Sequence, residues 1–145
     1  MRAVLFIIAV TVVQGYPRFQ NHIPNGHGIP NPCSPGSYWA AVGHYHFNQG
    51  TVPKNQFGVD FRTAGFQWTQ ELCRHDSDGD GMSNGAEVGD PNCTWQPGQA
   101  VLQQATGHPG ICEPVNSPTC MNKELKFECH CMENPNVCNM PGAPR

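Results

Sequence analysis

Phe61, Ala64, Trp68 and Leu72 recur at the spacing that places side chains on one face of a helix. Gly65 weakens the first turn of that pattern, so it predicts a short helix over about Phe66–His75 with Trp68 and Leu72 turned inward. Val88 has the position to begin a matching second helix, which Gly89-Asp90-Pro91 stops almost at once. Between Tyr38 and Phe47 aromatic and small residues mix in a way that suits a short strand ending near Asn48-Gln49-Gly50. Elsewhere breakers dominate. Tyr16 to Pro35 is dense in Pro, Asn and Gly, as in Ile23-Pro24-Asn25-Gly26, and predicts an irregular arm of turns. Glu113 to Pro118 reads as a linker into a cysteine-rich tail from Cys120 to Cys138, in which Lys123–Glu128 suits one helical turn or a strand. No internal repeat is visible.

The first fifteen residues have another pattern. Arg2 supplies one positive charge, and Ala3 to Val13 then run without charge or proline. That is the pattern of a signal peptide, too short to span a bilayer, which takes roughly 20 residues. Cleavage after Gly15 would start the mature chain at Tyr16, with a domain over 16–113 and an extension over 114–145. An exported chain changes how the eight cysteines are read. All of them (Cys33, Cys73, Cys93, Cys112, Cys120, Cys129, Cys131, Cys138) lie beyond the cleavage point, and an even count outside the cell implies disulfides. With 14 prolines and few long aliphatic side chains a large core is not expected, and bridges would supply what it cannot.

Charge adds one further feature. Without Arg2, seven Lys and Arg face eleven Asp and Glu with no basic run, which argues against nucleic acid and anionic membrane as partners. Much of the acid crowds between Glu71 and Asp90. Within that stretch, Asp76 to Glu87 fills the EF-hand loop template, with acids at positions 1, 3, 5 and 12 and Gly81 at position 6. Calcium takes six to eight oxygens. The expected set is the carboxylates of Asp76, Asp78 and Asp80, the backbone carbonyl of Met82, Asn84 directly or through water, and a bidentate Glu87. A single loop with polar Ser83 at position 8 would act alone, with a dissociation constant of about 0.1–1 mM and a structural rather than a sensing role. Cys73 and Cys93 flank the loop, and a bridge between them would add roughly 3 kcal/mol. Cys33 would then pair with Cys112 and the last four cysteines among themselves.

The segments Asn55-Gln56-Phe57-Gly58, Trp68-Thr69, Leu72-Cys73, Asp76 to Gly85 and Gly89-Asp90-Pro91-Asn92-Cys93-Thr94-Trp95 together resemble the temptin family, as do Tyr16-Pro17 and Gly43-His44. The resemblance covers about Tyr16 to Cys112. It implies a water-borne molluscan pheromone component that works in a complex with other secreted proteins, attractin-like or enticin-like, and not on a substrate.

Other residues carry weaker signals. His44 and His46, two apart on a strand, would share a face and make a copper or zinc site if His22, His27 or His108 joined them. Cys129-His130-Cys131 would bind soft metal only in a reducing compartment. Asn92-Cys93-Thr94 fits the glycan acceptor rule. Trp39, Trp68 and Trp95 read as core. No serine sits in a nucleophile elbow, and neither a phosphate loop nor a dinucleotide fingerprint is present, so enzyme activity is not expected.

The sequence therefore predicts a small, disulfide-rich, mostly irregular fold with minor α and β, one short helix leading into a single EF-hand-like calcium loop. The expected role is a secreted calcium-binding protein that binds other extracellular proteins in an attractant complex. A second reading is a shell or extracellular matrix protein with a structural calcium site. A third is a copper protein of the oxidoreductase type built on His44 and His46.

Overall fold

The computed structural model describes residues 17–50, 53–123 and 127–129. Five short helices follow one another there: α1 (Pro17–Gln20), α2 (Gln56–Thr63), α3 (Gln70–Arg74), α4 (Asn84–Val88) and α5 (Pro118–Met121). None of the described helices is long and apolar enough to cross a membrane. The signal peptide expected over 1–15, together with Cys131 and Cys138, lies outside the described residues.

Capping chemistry decides where these helices start. Asn55 accepts the Gly58 N–H (2.9 Å) and begins α2, a helix the apolar spacing did not predict. Thr69 accepts the Leu72 N–H (3.1 Å) and begins α3. The helix expected over Phe66–His75 is therefore shorter at its start. Gly65 and Phe66 both hold positive φ, which breaks the chain between α2 and α3. The apolar face nevertheless forms across the break, with Phe61, Trp68 and Leu72 all buried. Ser83 caps α4, which starts four residues before Val88, and left-handed Gly89 ends it where the sequence placed the stop.

The strand expected over Tyr38–Phe47 does not form. Among the described residues β pairing is limited to two bridges, Pro30 with Tyr38 and His44 with Lys54. Instead the segment folds on itself: the Ala41 N–H donates to Phe47 O, the His44 N–H to Ala41 O, and the Trp39 indole N–H to the carbonyls of Ala41 and His44. A buried tryptophan that needs an acceptor competes with strand pairing here and wins.

The core gathers Ile23, Ile29, Trp39, Val42, Phe57, Phe61, Trp68, Leu72, Val88 and Ile111. Among the described residues three disulfides brace it. Cys73–Cys93 closes around the acidic loop as expected. Cys33 pairs with Cys129, not with Cys112, and Cys112 pairs with Cys120. The turns after Cys112 return α5 directly to it, where Ser117 caps the helix and buries Cys120, so Cys112 is closed locally and Cys33 reaches the later cysteine. The described residues after 113 are thereby tied back to the main body, with the Phe127 ring 5.9 Å from Trp39 and stacked on Tyr45.

A close backbone approach joins α2 to the turn at Gly43. A Cβ on Gly58 would overlap the Gly43 carbonyl. Ala normally favours a helix over Gly by about 0.5–1 kcal/mol. At this contact overpacking should outweigh that gain, and Gly58→Ala is expected to lower stability by about 1–3 kcal/mol. Urea unfolding followed by tryptophan fluorescence measures the change, and an unshifted or raised midpoint would contradict the close approach.

Candidate metal centre

The acidic loop hangs between two fixed ends. The end of α3 and the start of α4 are joined by Asn84, which is fully buried. Its Oδ1 accepts the Ser77 N–H (3.2 Å), while its Nδ2 donates to Leu72 O (2.7 Å) and Ser77 Oγ (2.9 Å). The Asn84 backbone N–H donates to His75 O (2.7 Å). The Asn84 carboxamide, expected to face an ion directly or through water, is engaged in holding the loop closed.

Inside the loop the acids organise the backbone. Asp76 accepts the N–H groups of Gly79 (2.6 Å) and Gly81 (2.9 Å), Asp78 that of Asp80 (3.2 Å), and Asp80 that of Met82 (2.9 Å). Gly79 and Gly81 hold positive φ, which lets the chain turn this tightly. Asp76, Asp78 and Asp80 each bring a carboxylate oxygen within 4.8 Å of the others. The side chain of Met82 is exposed, its expected contribution being the backbone carbonyl.

Glu87, on α4, is not one of the three carboxylates that lie within 4.8 Å of one another, but it feels the charges of Asp78, Asp80 and Asp76. It is 1% exposed, yet neither of its carboxylate oxygens has a hydrogen-bond partner, and Asp78 Oδ2 is likewise buried and unpartnered. Buried polar atoms are nearly always paired. Burial, and then the charges of Asp78, Asp80, Glu113 and Asp76, push the Glu87 carboxyl up to about 10. Burial and then Asp80 raise Asp78 to about 7, with Asp76 adding to the effect. Orphaned hard oxygens under mutual repulsion are the chemistry that a divalent cation satisfies, and Asp76, Asp78, Asp80 and Glu87 could hold one.

Two neighbours of the loop were not found by sequence reasoning. Glu113, assigned to a linker, donates its N–H to Asp80 Oδ2 (3.2 Å) and accepts the His108 N–H (2.8 Å) on its carboxylate. Its own carboxyl is raised by burial, with Asp80 adding to the effect. Lys123 donates to the carbonyls of Asp78 (2.5 Å) and Gly79 (2.6 Å). Both are far from the loop in sequence, so no linear spacing marks them.

The other expected sites are not assembled in the same way. Among the described residues no third ligand joins His44 and His46 in a cluster. The His46 ring accepts the Asn48 N–H and stacks on Phe47, His22 is paired with Phe66 O, His27 with Asn21, and His108 is buried against Trp39. Asn92 is exposed beside the bridged Cys93. Trp39 and Trp68 are core, and the Trp68 indole donates to Asp90 Oδ2 (2.9 Å). Asp90 also accepts the N–H groups of Thr94 and Trp95, so it braces the segment around Cys93.

A pH dependence follows. In ion-free protein Glu87 and Asp78 bind a proton more tightly folded than unfolded, so the folded state gains stability as pH falls. The gain is fully present below the ordinary carboxylate range. It is lost as pH rises, for Asp78 by about 7 and for Glu87 by about 10. With chelator present, the melting temperature should fall from pH 5 to pH 8, and Glu87→Gln should flatten the slope. A melting temperature that rises over this range in chelator would contradict the assignment.

No solved structure matches the chain. Temptin of Aplysia californica is 49% identical over 107 residues, covering 73% of this chain and 85% of that protein. A family model described as Temptin C-terminal matches residues 13–111, which include the acidic loop, its flanking disulfide and the core around Trp39 and Trp68. The chain belongs to the temptin family.

Proposed function

We propose that this protein is a secreted component of a water-borne attractant signal that acts by binding other secreted proteins, attractin-like or enticin-like, and not by catalysis. The observation that supports the reading is the extent of its likeness to Temptin, which runs through both the loop and the core. Three disulfides suit an extracellular setting. In this reading Asp76, Asp78, Asp80, the Met82 carbonyl and Glu87 hold one calcium ion, and the unpartnered oxygens of Glu87 support that assignment. Asn84 positions the loop through its carboxamide.

The calcium part of the proposal has a direct measurement. An ion that binds only the folded chain stabilises it by mass action, by about 1.4–2.7 kcal/mol at ten- to hundredfold excess over the dissociation constant. Calcium at 10 mM should raise the melting temperature of the native protein, and Glu87→Gln or Asp78→Asn should abolish the rise. Identical curves with calcium and with chelator would refute the site.

The partner part is tested separately. The disulfide-intact protein, immobilised in millimolar calcium, should bind attractin-like and enticin-like proteins saturably. Absence of binding by correctly folded protein would overturn the signalling role. Adsorption to calcium mineral or matrix in its place would support a shell or matrix protein.

A further inference from the structure

On the side of α2 away from Asp60 lies an open apolar groove of about 400 Å³. Its floor is buried core: Ile23, Val42, Phe57 and Phe61. One wall is a cluster of phenyl rings, with Phe19 stacked on Phe66 (4.6 Å between centroids) and both edge-on to Phe61 (6.1 and 5.9 Å). Phe19 is among the more exposed large hydrophobic residues, at 36%. Single exposed apolar residues are ordinary, whereas an apolar recess continuous with the core and rimmed by polar groups marks a binding surface.

The rim carries one sign of charge. Lys54 and Arg62 line the groove and are exposed, and among the described residues no Asp or Glu lines it, in a chain whose net charge is −3. The helix sorts its charges accordingly, because Asp60 lies on the other side of α2, 3.5 Å from His75. The backbone of the floor is already occupied. Ala40 O accepts the Gln20 side chain, Ala41 O the Trp39 indole, Val42 O the Asn55 carboxamide and Gly43 O the Asn55 N–H. A strand added along this edge would find few free carbonyls, so recognition falls to side chains.

We infer that this groove docks an acidic peptide segment of a secreted protein partner, with one or two large aliphatic or aromatic side chains seated on Phe57, Phe61 and Phe66 and a flanking carboxylate paired with Lys54 and Arg62. Apolar anchors in a desolvated recess supply most of such binding energy, and the rim charges supply orientation and association rate. The inference deepens the proposed function by naming the surface and the chemistry of the partner, and it rests on that reading.

The test uses the full, disulfide-bonded chain and three probes: an acetylated hexapeptide with Leu and Phe flanked by Glu, the same peptide with Lys in place of Glu, and dodecanoate. The acidic peptide should bind roughly tenfold or more tighter than the basic one, weaken with salt, and shift the NMR resonances of Ile23, Phe61 and Phe66. Lys54→Glu with Arg62→Glu, both at exposed positions, should remove the preference, while Glu71→Lys on the opposite side should leave it intact. Equal binding of both peptides, binding of dodecanoate alone, shifts outside the groove, or no binding would each overturn the inference. The double variant also separates it from the proposed function. If natural secreted partners bind the double variant undiminished, the groove assignment fails and the signalling role stands. If the acidic peptide binds but no secreted protein does, the signalling role fails and the groove stands.

Discussion

Asn84 sits fully buried between α3 and α4 and ties Leu72, Ser77 and its own helix together through one carboxamide. That interaction is repeated elsewhere in the molecule. Asn55, also buried, caps α2 and ties it to the carbonyls of Val42 and His44. Asn25 donates to Val88 O and Gln103 O across the end of α4. A chain with five helices of four to eight residues and no sheet among its described residues has no long ladder in which to pair its backbone. Each buried carbonyl left alone would cost about 1–3 kcal/mol, so side-chain amides take the place of the missing ladder. The fold depends on these few residues more than on any one element.

The acidic loop exists because of that bracing. Four carboxylates that repel one another would drift apart on a free loop, and the clamp by Asn84 and the bridge Cys73–Cys93 hold their ends in place. The cost appears at Glu87, whose two oxygens are buried without a donor. An ionised carboxylate in that position costs several kcal/mol unless a proton or a cation compensates it. Lys123 does not remove the problem, because its ammonium is spent on the carbonyls of Asp78 and Gly79 at the outer turn.

Local signals in the sequence were legible where the physics is local. The spacing of Asp76, Asp78, Asp80 and Glu87, the flanking Cys73 and Cys93, and the stop at Gly89 all act within about twenty residues. Tertiary competition hid the rest. Asn84 occupies a template position of the loop, and its hydrogen bonds to Leu72 O and Ser77, which no spacing announces, brace that loop. The aromatic run at Tyr38–Phe47 has the composition of a strand, but the Trp39 indole needed acceptors from its own neighbourhood. Cys33 found Cys129 because α5 returns Cys120 to Cys112, a consequence of turns that no count of cysteines contains. Asn55-Gln56-Phe57-Gly58 carried the family resemblance, and its physical meaning is a cap, a core ring and a glycine on which the Gly43 turn can rest.

The same bracing bears on what an ion at the loop would do. In a calcium sensor the exit helix has two positions and the ion selects one of them. Here α4 is capped by Ser83, tied to α3 through Asn84, joined to Asn25 at Val88 and stopped by Gly89, all through contacts that do not involve the carboxylates. The groove beside α2 is likewise set by Asn55, Gly43 and Gly58, none of which belongs to the loop. A cation at Glu87 would therefore act on stability, by relieving buried charge, through contacts separate from those that shape the groove. On the proposed reading, that is the behaviour suited to a protein that keeps one recognition surface intact outside the cell, where calcium is abundant and nearly constant.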